Sequence, residues 1–199
     1  MTASIHRHAL GLTWVEGDAM ARAAHALVAD GQVWLIDPFE DEIALSAAVE
    51  LGRPAGVIQL LDRHHRDGNA IAQRLEIPRL RLPATIPGSP FQVVQVVDRR
   101  WWHELALWWP QERALVVAEA VGTAAAFRLG RALGVHPLLR PFPPRAQLGS
   151  HRPQRLFVGH GPALEGDASD ALDRALAASR SDIPKLMTAL PGLLRSARG

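Results

Sequence analysis

Short apolar segments separated by turn residues recur along most of the chain, and this pattern limits the possible folds more than any other feature. Two alternating segments within residues 24–37 flank Asp30-Gly31, a strong hairpin signal. The segment GVIQLL at 56–61 is typical of a buried strand and leads into a polar loop and then a helical pattern. Hairpins, strand–helix alternation, further hairpins and final helices together predict a mixed α/β fold with helix-covered sheets.

The remaining segments fit the same plan. The predicted strands lie at 79–82, 91–97, 104–109, 114–118 and 155–158. The predicted helices lie at 41–51, after residue 69, near 123–133, at 168–179 and at 182–197. A proline-rich stretch, 136–154, is predicted to run over the surface as an extended loop. With 199 residues and 48% hydrophobic residues, we expect a single domain spanning 1–199, with a C-terminal helical segment at about 168–197.

Composition excludes several classes of chemistry. The chain has no cysteine, which rules out disulfides, a cysteine nucleophile and thiolate metal sites. Its formal net charge is only +2, so nucleic-acid binding has weak support although arginine is plentiful. Neither an export signal nor a membrane-spanning run is recognisable, so we expect a cytoplasmic protein without a membrane partner.

Histidines and carboxylates follow three predicted strands. The first group is the loop 62–68, DRHHRDG, the second is Glu119 after ALVVA, and the third is His160 between two glycines. Strand ends at one edge of a sheet converge, so these side chains can meet in one pocket. Imidazole and carboxylate together suit zinc, iron or manganese.

The order and context of these segments resemble the metallo-β-lactamase fold superfamily. Four features match in sequence order: VWLIDP closing the early hairpin, GVIQLL before the His/Asp-rich loop, the pair ELALWWPQERALVVAEA, and the late LFVGHGP. The resemblance covers nearly the whole chain. It implies an α/β (α+β) four-layer αββα sandwich, in which two mixed β-sheets are flanked by helices and a metal site lies at one end.

The metal motif of that superfamily, HxHxDH, is only partly present. Its positions align with Arg63, His65, Asp67 and Gly68, so two of four match. An arginine has no lone pair to give a metal and stays protonated.

The later metal positions of the superfamily are also mixed. The third histidine aligns with Arg100, with His103 three residues away. The usual aspartate is replaced by Glu119, which is one methylene longer, and the final histidine is kept as His160. The resemblance therefore does not predict the usual dinuclear zinc centre.

Two interpretations follow from the resemblance. In one, His65, Asp67, Glu119 and His160 hold a single divalent metal, with zinc favoured over iron or manganese, and Asp67 assists catalysis. In the other, which the sequence favours, there is no metal, and Arg63 or Arg100 supplies its charge to the carboxylates.

These interpretations lead to different functions. The metal-free form would be a non-catalytic binding or interaction protein, whose partner is an unknown small molecule or protein. The mononuclear form would hydrolyse an ester, thioester, lactone or phosphoester, and nucleic-acid binding is a weaker alternative. His64, His103, Trp101 and Trp102 are predicted to line the pocket, and an exposed tryptophan could support a homodimer. Five further histidines show no spacing typical of a site: His6, His8, His25, His136 and His151.

Overall fold

The computed structural model describes residues 3–196, with side chains described through Ala189. Its first sheet has six strands in sequence order, antiparallel from β1 to β4 and parallel from β4 to β6. These strands are β1 (Ser4–His8), β2 (Gly11–Val15), β3 (Ala23–Ala29), β4 (Gln32–Ile36), β5 (Arg53–Gln59) and β6 (Arg79–Arg81).

The second sheet has five strands in the order β13-β12-β9-β8-β7. Its members are β7 (Gln92–Arg99), β8 (Trp102–Trp109), β9 (Ala114–Val117), β12 (Arg155–Val158) and β13 (Leu164–Glu165). The central pair, β9 and β12, is parallel, and the other neighbours are antiparallel. A separate antiparallel pair, β10 (Val121–Gly122) and β11 (Gly134–Val135), comes between β9 and β12 along the chain.

Six helices accompany the sheets in the described part of the chain. They are α1 (Glu42–Val49), α2 (Gly68–Arg74), α3 (Ala125–Arg128), α4 (Arg145–Leu148), α5 (Ala168–Ala178) and α6 (Ile183–Ser196). Asp41 caps α1, because its carboxylate accepts the Ala44 N–H at 3.0 Å. No helix described here is long and apolar enough to cross a membrane.

Two apolar cores hold the layers together. On β4, Trp34 and Ile36 face the core shared by the two sheets, while Val33 and Leu35 face the core beneath α1 and α2. This period of two lets one strand serve both cores. The first core also continues through the second sheet to Leu172 of α5, which packs against β11 and β12, while α1 and α2 pack on the first sheet. The predicted arrangement of two mixed sheets flanked by helices is confirmed.

The two sheets are joined where several strands end. The Asp62 N–H donates to the His103 carbonyl at 3.0 Å, and the Leu105 N–H donates to the Leu60 carbonyl at 2.8 Å. On the other side, the Ala23 N–H donates to the Gly159 carbonyl at 2.9 Å. The segments that follow β5, β9 and β12 are therefore held at one end of the sandwich.

Some elements differ from the sequence prediction. The strands β1, β2, β10, β11 and β13 were not predicted, and β8 begins at Trp102 rather than at residue 104. The helix predicted near 123–133 is limited to α3, because Leu129 and Gly130 both take positive φ angles, 47° and 84°. Such angles end a right-handed helix.

Candidate functional site

Three side chains of the metal-ligating types meet at the joined end of the two sheets. His64, Glu119 and His160 each offer one ligand atom, and these atoms all lie within 4.8 Å of one another. All three residues are buried. They follow β5, β9 and β12 respectively, so the strand ends do converge there. We call this set the His–Glu–His group.

His64 is oriented by a buried carboxylate. Its Nδ1 lies 2.9 Å from Oδ2 of Asp37, which follows β4 and also accepts the Leu60 N–H at 3.0 Å. Burial alone would raise the pKa of Asp37, but the His64 imidazole and the Arg66 guanidinium hold that pKa below its usual range. Because an ionised carboxylate only accepts, His64 donates from Nδ1 and keeps Nε2 for the group.

Arg66 ties the loop that carries His64 to the sheet. Its guanidinium donates to the carbonyls of Ala23 and Asp37, both at 2.6 Å, and to that of Gly159 at 3.2 Å. These bonds reach three separate segments, so one side chain holds the loop against both β3 and the end of β12.

His160 is oriented by a backbone carbonyl. Its Nδ1 lies 2.9 Å from the Met20 carbonyl oxygen, so Nδ1 carries the proton. The ring stacks on Phe127 with a centroid separation of 5.3 Å. Burial lowers the pKa of His160 to about 4, which leaves the imidazole neutral at neutral pH. Its Nε2 is buried and has no hydrogen-bond partner among the described residues.

The glycines beside His160 allow the strand ends to approach. A Cβ added to Gly159 would lie 2.1 Å from the Ala118 carbonyl oxygen. We therefore expect Gly159→Ala to lower the free energy of unfolding by about 3 kcal/mol, because β9 and β12 must separate. Gly17→Ala is the control, since nothing lies within 4 Å of its added Cβ. Denaturant unfolding of both variants measures the difference, and equal stability would contradict the close packing.

Glu119 lies between the histidines and an arginine. Its Oε1 is 3.7 Å from Nε2 of His160 and 3.8 Å from Nε2 of His136. Its Oε2 accepts a hydrogen bond from the Arg63 guanidinium. That guanidinium lies over the face of Trp102, 4.1 Å from the ring centroid. Glu119 thus has one oxygen paired with a cation and one facing the histidines.

A second glutamate holds the backbone of Glu119 in place. Oε1 of Glu104 accepts the N–H groups of Glu119 and Ala120 at 2.7 and 2.8 Å. Its Oε2 accepts the indole N–H of Trp102 at 2.8 Å. Burial raises the pKa of Glu104 to about 7, although these three donors favour the ionised form. Glu104 therefore positions both Glu119 and the ring on which Arg63 lies.

Only some of the residues predicted from the sequence to bind a metal lie in the His–Glu–His group. Among the predicted metal ligands, Glu119 and His160 lie in the group, while His65 and Asp67 are exposed on the surface. Asp67 accepts the Glu40 N–H at 2.8 Å, away from the group. His64, predicted only to line the pocket, provides the second imidazole. Successive loop residues point in different directions, so a shift of one position changes which histidine faces inward.

The predicted arginines and pocket residues also separate. Arg63 pairs with Glu119, but Arg100 is exposed in the turn between β7 and β8. Trp102 is buried under Arg63, whereas Trp101 is 56% exposed. His103 pairs with Asp98 at 2.9 Å on the surface. The roles assigned to all these residues remain predictions.

Three residues of the site were missed in the sequence. Asp37 ends the VWLID segment, Glu104 begins the predicted strand 104–109, and His136 lies in the proline-rich stretch. Each meets its partners through long-range packing, and none has a motif spacing. A carboxylate beside strongly apolar residues, as at Asp37 and Glu104, was the one available signal.

Comparison with known proteins relates the fold to solved structures. Neither a protein-family model nor a curated protein matches the sequence. TMB-1 superposes with a TM-score of 0.61 at 12% identity, over 91% of this chain and 98% of its own. The DIM-1 metallo-β-lactamase exposed to ceftazidime gives 0.59 at 10% identity, over 91% and 98%. A metallo-β-lactamase from Erythrobacter litoralis gives 0.59 at 12% identity, over 90% and 92%.

At these identities the similarity concerns the fold and not the activity. It extends over nine-tenths of the chain and over nearly all of each solved structure. The resemblance seen in the order of the sequence segments agrees with it. The chain therefore has the metallo-β-lactamase fold.

Proposed function

We propose that the protein is a hydrolase that uses one divalent metal ion, held by His64, Glu119 and His160. The observation that carries this proposal is the position of the ring proton in the two imidazoles. Each donates Nδ1–H to a fixed acceptor, which leaves Nε2 as the nitrogen with the lone pair. Nε2 of His160 lies 3.7 Å from Oε1 of Glu119 and is buried without a hydrogen-bond partner among the described residues. Histidines that bind metals almost always donate their other ring N–H in this way.

One ion fits these residues, and two do not. Among the side chains described, which run from residue 3 to Ala189, no second group of three metal-ligating residues accompanies the first. Two guanidinium groups lie in the same loop, Arg63 and Arg66, and neither can ligate. The dinuclear centre associated with the fold is therefore not part of this proposal.

Two histidines and a glutamate form a ligand set known from zinc hydrolases, and zinc is favoured over iron or manganese. An ion in such a set polarises a carbonyl or phosphoryl oxygen and lowers the pKa of water. The chain itself keeps both imidazoles in the form that can bind, through Asp37 and the Met20 carbonyl. We expect the substrate to be an ester, thioester, lactone or phosphoester. A cytoplasmic location stays a prediction from the sequence.

A second candidate is the metal-free binding protein that the sequence favoured. The ion pair between Arg63 and Glu119 supports it, since the arginine already gives the buried carboxylate a cation. The cation–π contact with Trp102 holds the arginine there. This candidate leaves Nε2 of His160 without a partner, which is why we place it second. The homodimer and nucleic-acid alternatives rest on the sequence alone.

Metal content tests the proposal. Chelator-free protein loaded with zinc and desalted is expected to retain about one ion per chain by mass spectrometry. His64→Ala and His160→Ala should weaken zinc affinity about 100-fold or more, because each removes a ligand. His65→Ala is the matched control, and its affinity should equal that of the wild type, because His65 is exposed. Failure of the wild type to retain zinc would support the metal-free candidate instead.

A further inference from the structure

One histidine at the site has no part in the proposed metal binding. His136 follows β11. Its backbone N–H donates to the Ala120 carbonyl at 3.0 Å, which places the residue beside Glu119. Its ring packs edge-to-face on Trp102, with centroids 4.8 Å apart, and on Phe127, with centroids 5.4 Å apart. The ring is thus fixed between two aromatic side chains at the edge of the His–Glu–His group.

The proton of His136 is on the opposite nitrogen from that of the other two histidines. The Leu138 N–H donates to Nδ1 of His136 at 3.1 Å, where the chain begins a short 3-10 turn. A nitrogen that accepts a hydrogen bond carries a lone pair, so the ring proton is on Nε2. His64 and His160 instead donate from Nδ1. His136 is therefore a donor toward the group and not a further ligand.

The Nε2 atom of His136 lies beside Glu119 of the His–Glu–His group. It lies 3.8 Å from Oε1 of Glu119, too far for a hydrogen bond. No hydrogen bond from this nitrogen is found among the described residues, and the side chain is 16% exposed. A fixed N–H donor without a partner, beside the candidate metal ligands and on a partly exposed side chain, is suited to an incoming oxygen.

We propose that His136 donates a hydrogen bond from Nε2 to the substrate oxygen on which negative charge develops during hydrolysis. The inference rests on the proposed function and assigns a substrate-binding and catalytic role to a residue outside the ligand set. No proton is transferred, since the neutral ring keeps its Nε2–H throughout. The carbonyl oxygen of an ester or thioester, or the phosphoryl oxygen of a phosphoester, has the required chemistry. A single fixed donor of this kind typically contributes about 10²–10³ in rate.

Two variants separate the donor from the structural role of the ring. His136→Asn keeps an oxygen where Nδ1 accepts the Leu138 N–H, but it has nothing at the position of Nε2. His136→Gln can place an amide N–H close to Nε2. Both retain all three residues of the His–Glu–His group, so zinc retention should equal that of the wild type. The probe is methylphosphonate, whose oxygens resemble the charged tetrahedral state.

The test is carried out on the full chain, labelled with ¹⁵N in histidine. Long-range ¹H–¹⁵N spectra should show the proton of His136 on Nε2 and those of His64 and His160 on Nδ1. Methylphosphonate added to the zinc-loaded protein should shift the His136 Nε2–H resonance, and its affinity should fall about tenfold or more in His136→Asn. In His136→Gln the loss should stay within about threefold.

Each outcome decides a separate question. Equal methylphosphonate affinity in the wild type and His136→Asn, or a His136 proton on Nδ1, overturns the inference and leaves the proposed function standing. A wild type that retains no zinc overturns the proposed function and the inference with it. A shifted Nε2–H resonance together with weaker binding by His136→Asn supports both.

Discussion

Replacing Glu104 with leucine is expected to lower the free energy of unfolding by about 4 kcal/mol. The substitution leaves three buried donors without an acceptor, the N–H groups of Glu119 and Ala120 and the indole N–H of Trp102. Each stranded donor costs about 1–3 kcal/mol. Equilibrium unfolding in urea at pH 7 measures the loss.

Two further variants control for size and charge. Glu104→Gln keeps one oxygen for two of the donors but turns an amide toward the Trp102 N–H, so we expect a loss of about 2 kcal/mol. Glu165→Leu, at a side chain that is 50% exposed, should change stability by less than about 0.5 kcal/mol. A Glu104→Leu protein as stable as the Glu165→Leu protein would contradict the role given to this carboxylate.

The metal-free protein is expected to lose stability steeply as the pH falls below 6.5. Burial lowers the pKa of His25 to about 3 and those of His136 and His160 to about 4. Between these values and 6.5, the unfolded chain binds protons that the folded chain does not. Stability is therefore fully present above pH 6.5 and is lost as the pH falls toward 4.

Glu104 acts in the opposite direction over part of this range. Its folded pKa of about 7 lies above the unfolded value, so the folded chain holds a proton that the unfolded chain releases above pH 4.5. Three histidines against one glutamate leave a net difference of about two protons, or roughly 3 kcal/mol for each pH unit. Because the unfolded histidines are only half protonated at pH 6.5, the full slope is reached only near pH 5.5, and we expect a loss of about 3 kcal/mol between pH 6.5 and pH 5.

Urea unfolding with chelator present, at pH 6.5, 5.5 and 5, measures this dependence. Exposed His65 provides the control, because His65→Gln should leave the slope unchanged. His136→Asn should reduce the slope by about one proton. A stability that stays flat between pH 5 and pH 6.5 would show that the buried histidines titrate normally.

The fold was predictable because its signals are local. Asp30 and Gly31 take φ angles of 50° and 71°, which is the backbone conformation that a two-residue hairpin turn needs. The Asp-Gly pair predicts such a turn from the sequence alone. Likewise, β12 spans Arg155–Val158 as predicted, because a short apolar run ends in glycine. Helix α3 was predicted too long, because its apolar pattern continues past the residues that stop it.

The site was predictable only in part. Its place at the strand ends and the presence of Glu119 and His160 followed from the order of the segments. The choice between His64 and His65 could not be made, because a loop has no periodicity that tells which side chain points inward. Asp37 meets groups that follow the next strand of its sheet, and Glu104 meets the N–H groups that follow β9. Such pairing has no signature in the neighbouring sequence.

The measurement that tests the central claim most directly is an anomalous difference map at the zinc edge, from crystals of the zinc-loaded protein. We expect one peak, bound by Nε2 of His64, Nε2 of His160 and a carboxylate oxygen of Glu119, with Nδ1 of each histidine still on its present acceptor. A map without a peak there and with Arg63 as the only cation on Glu119 would contradict the account. So would a zinc ion bound by His65 and Asp67.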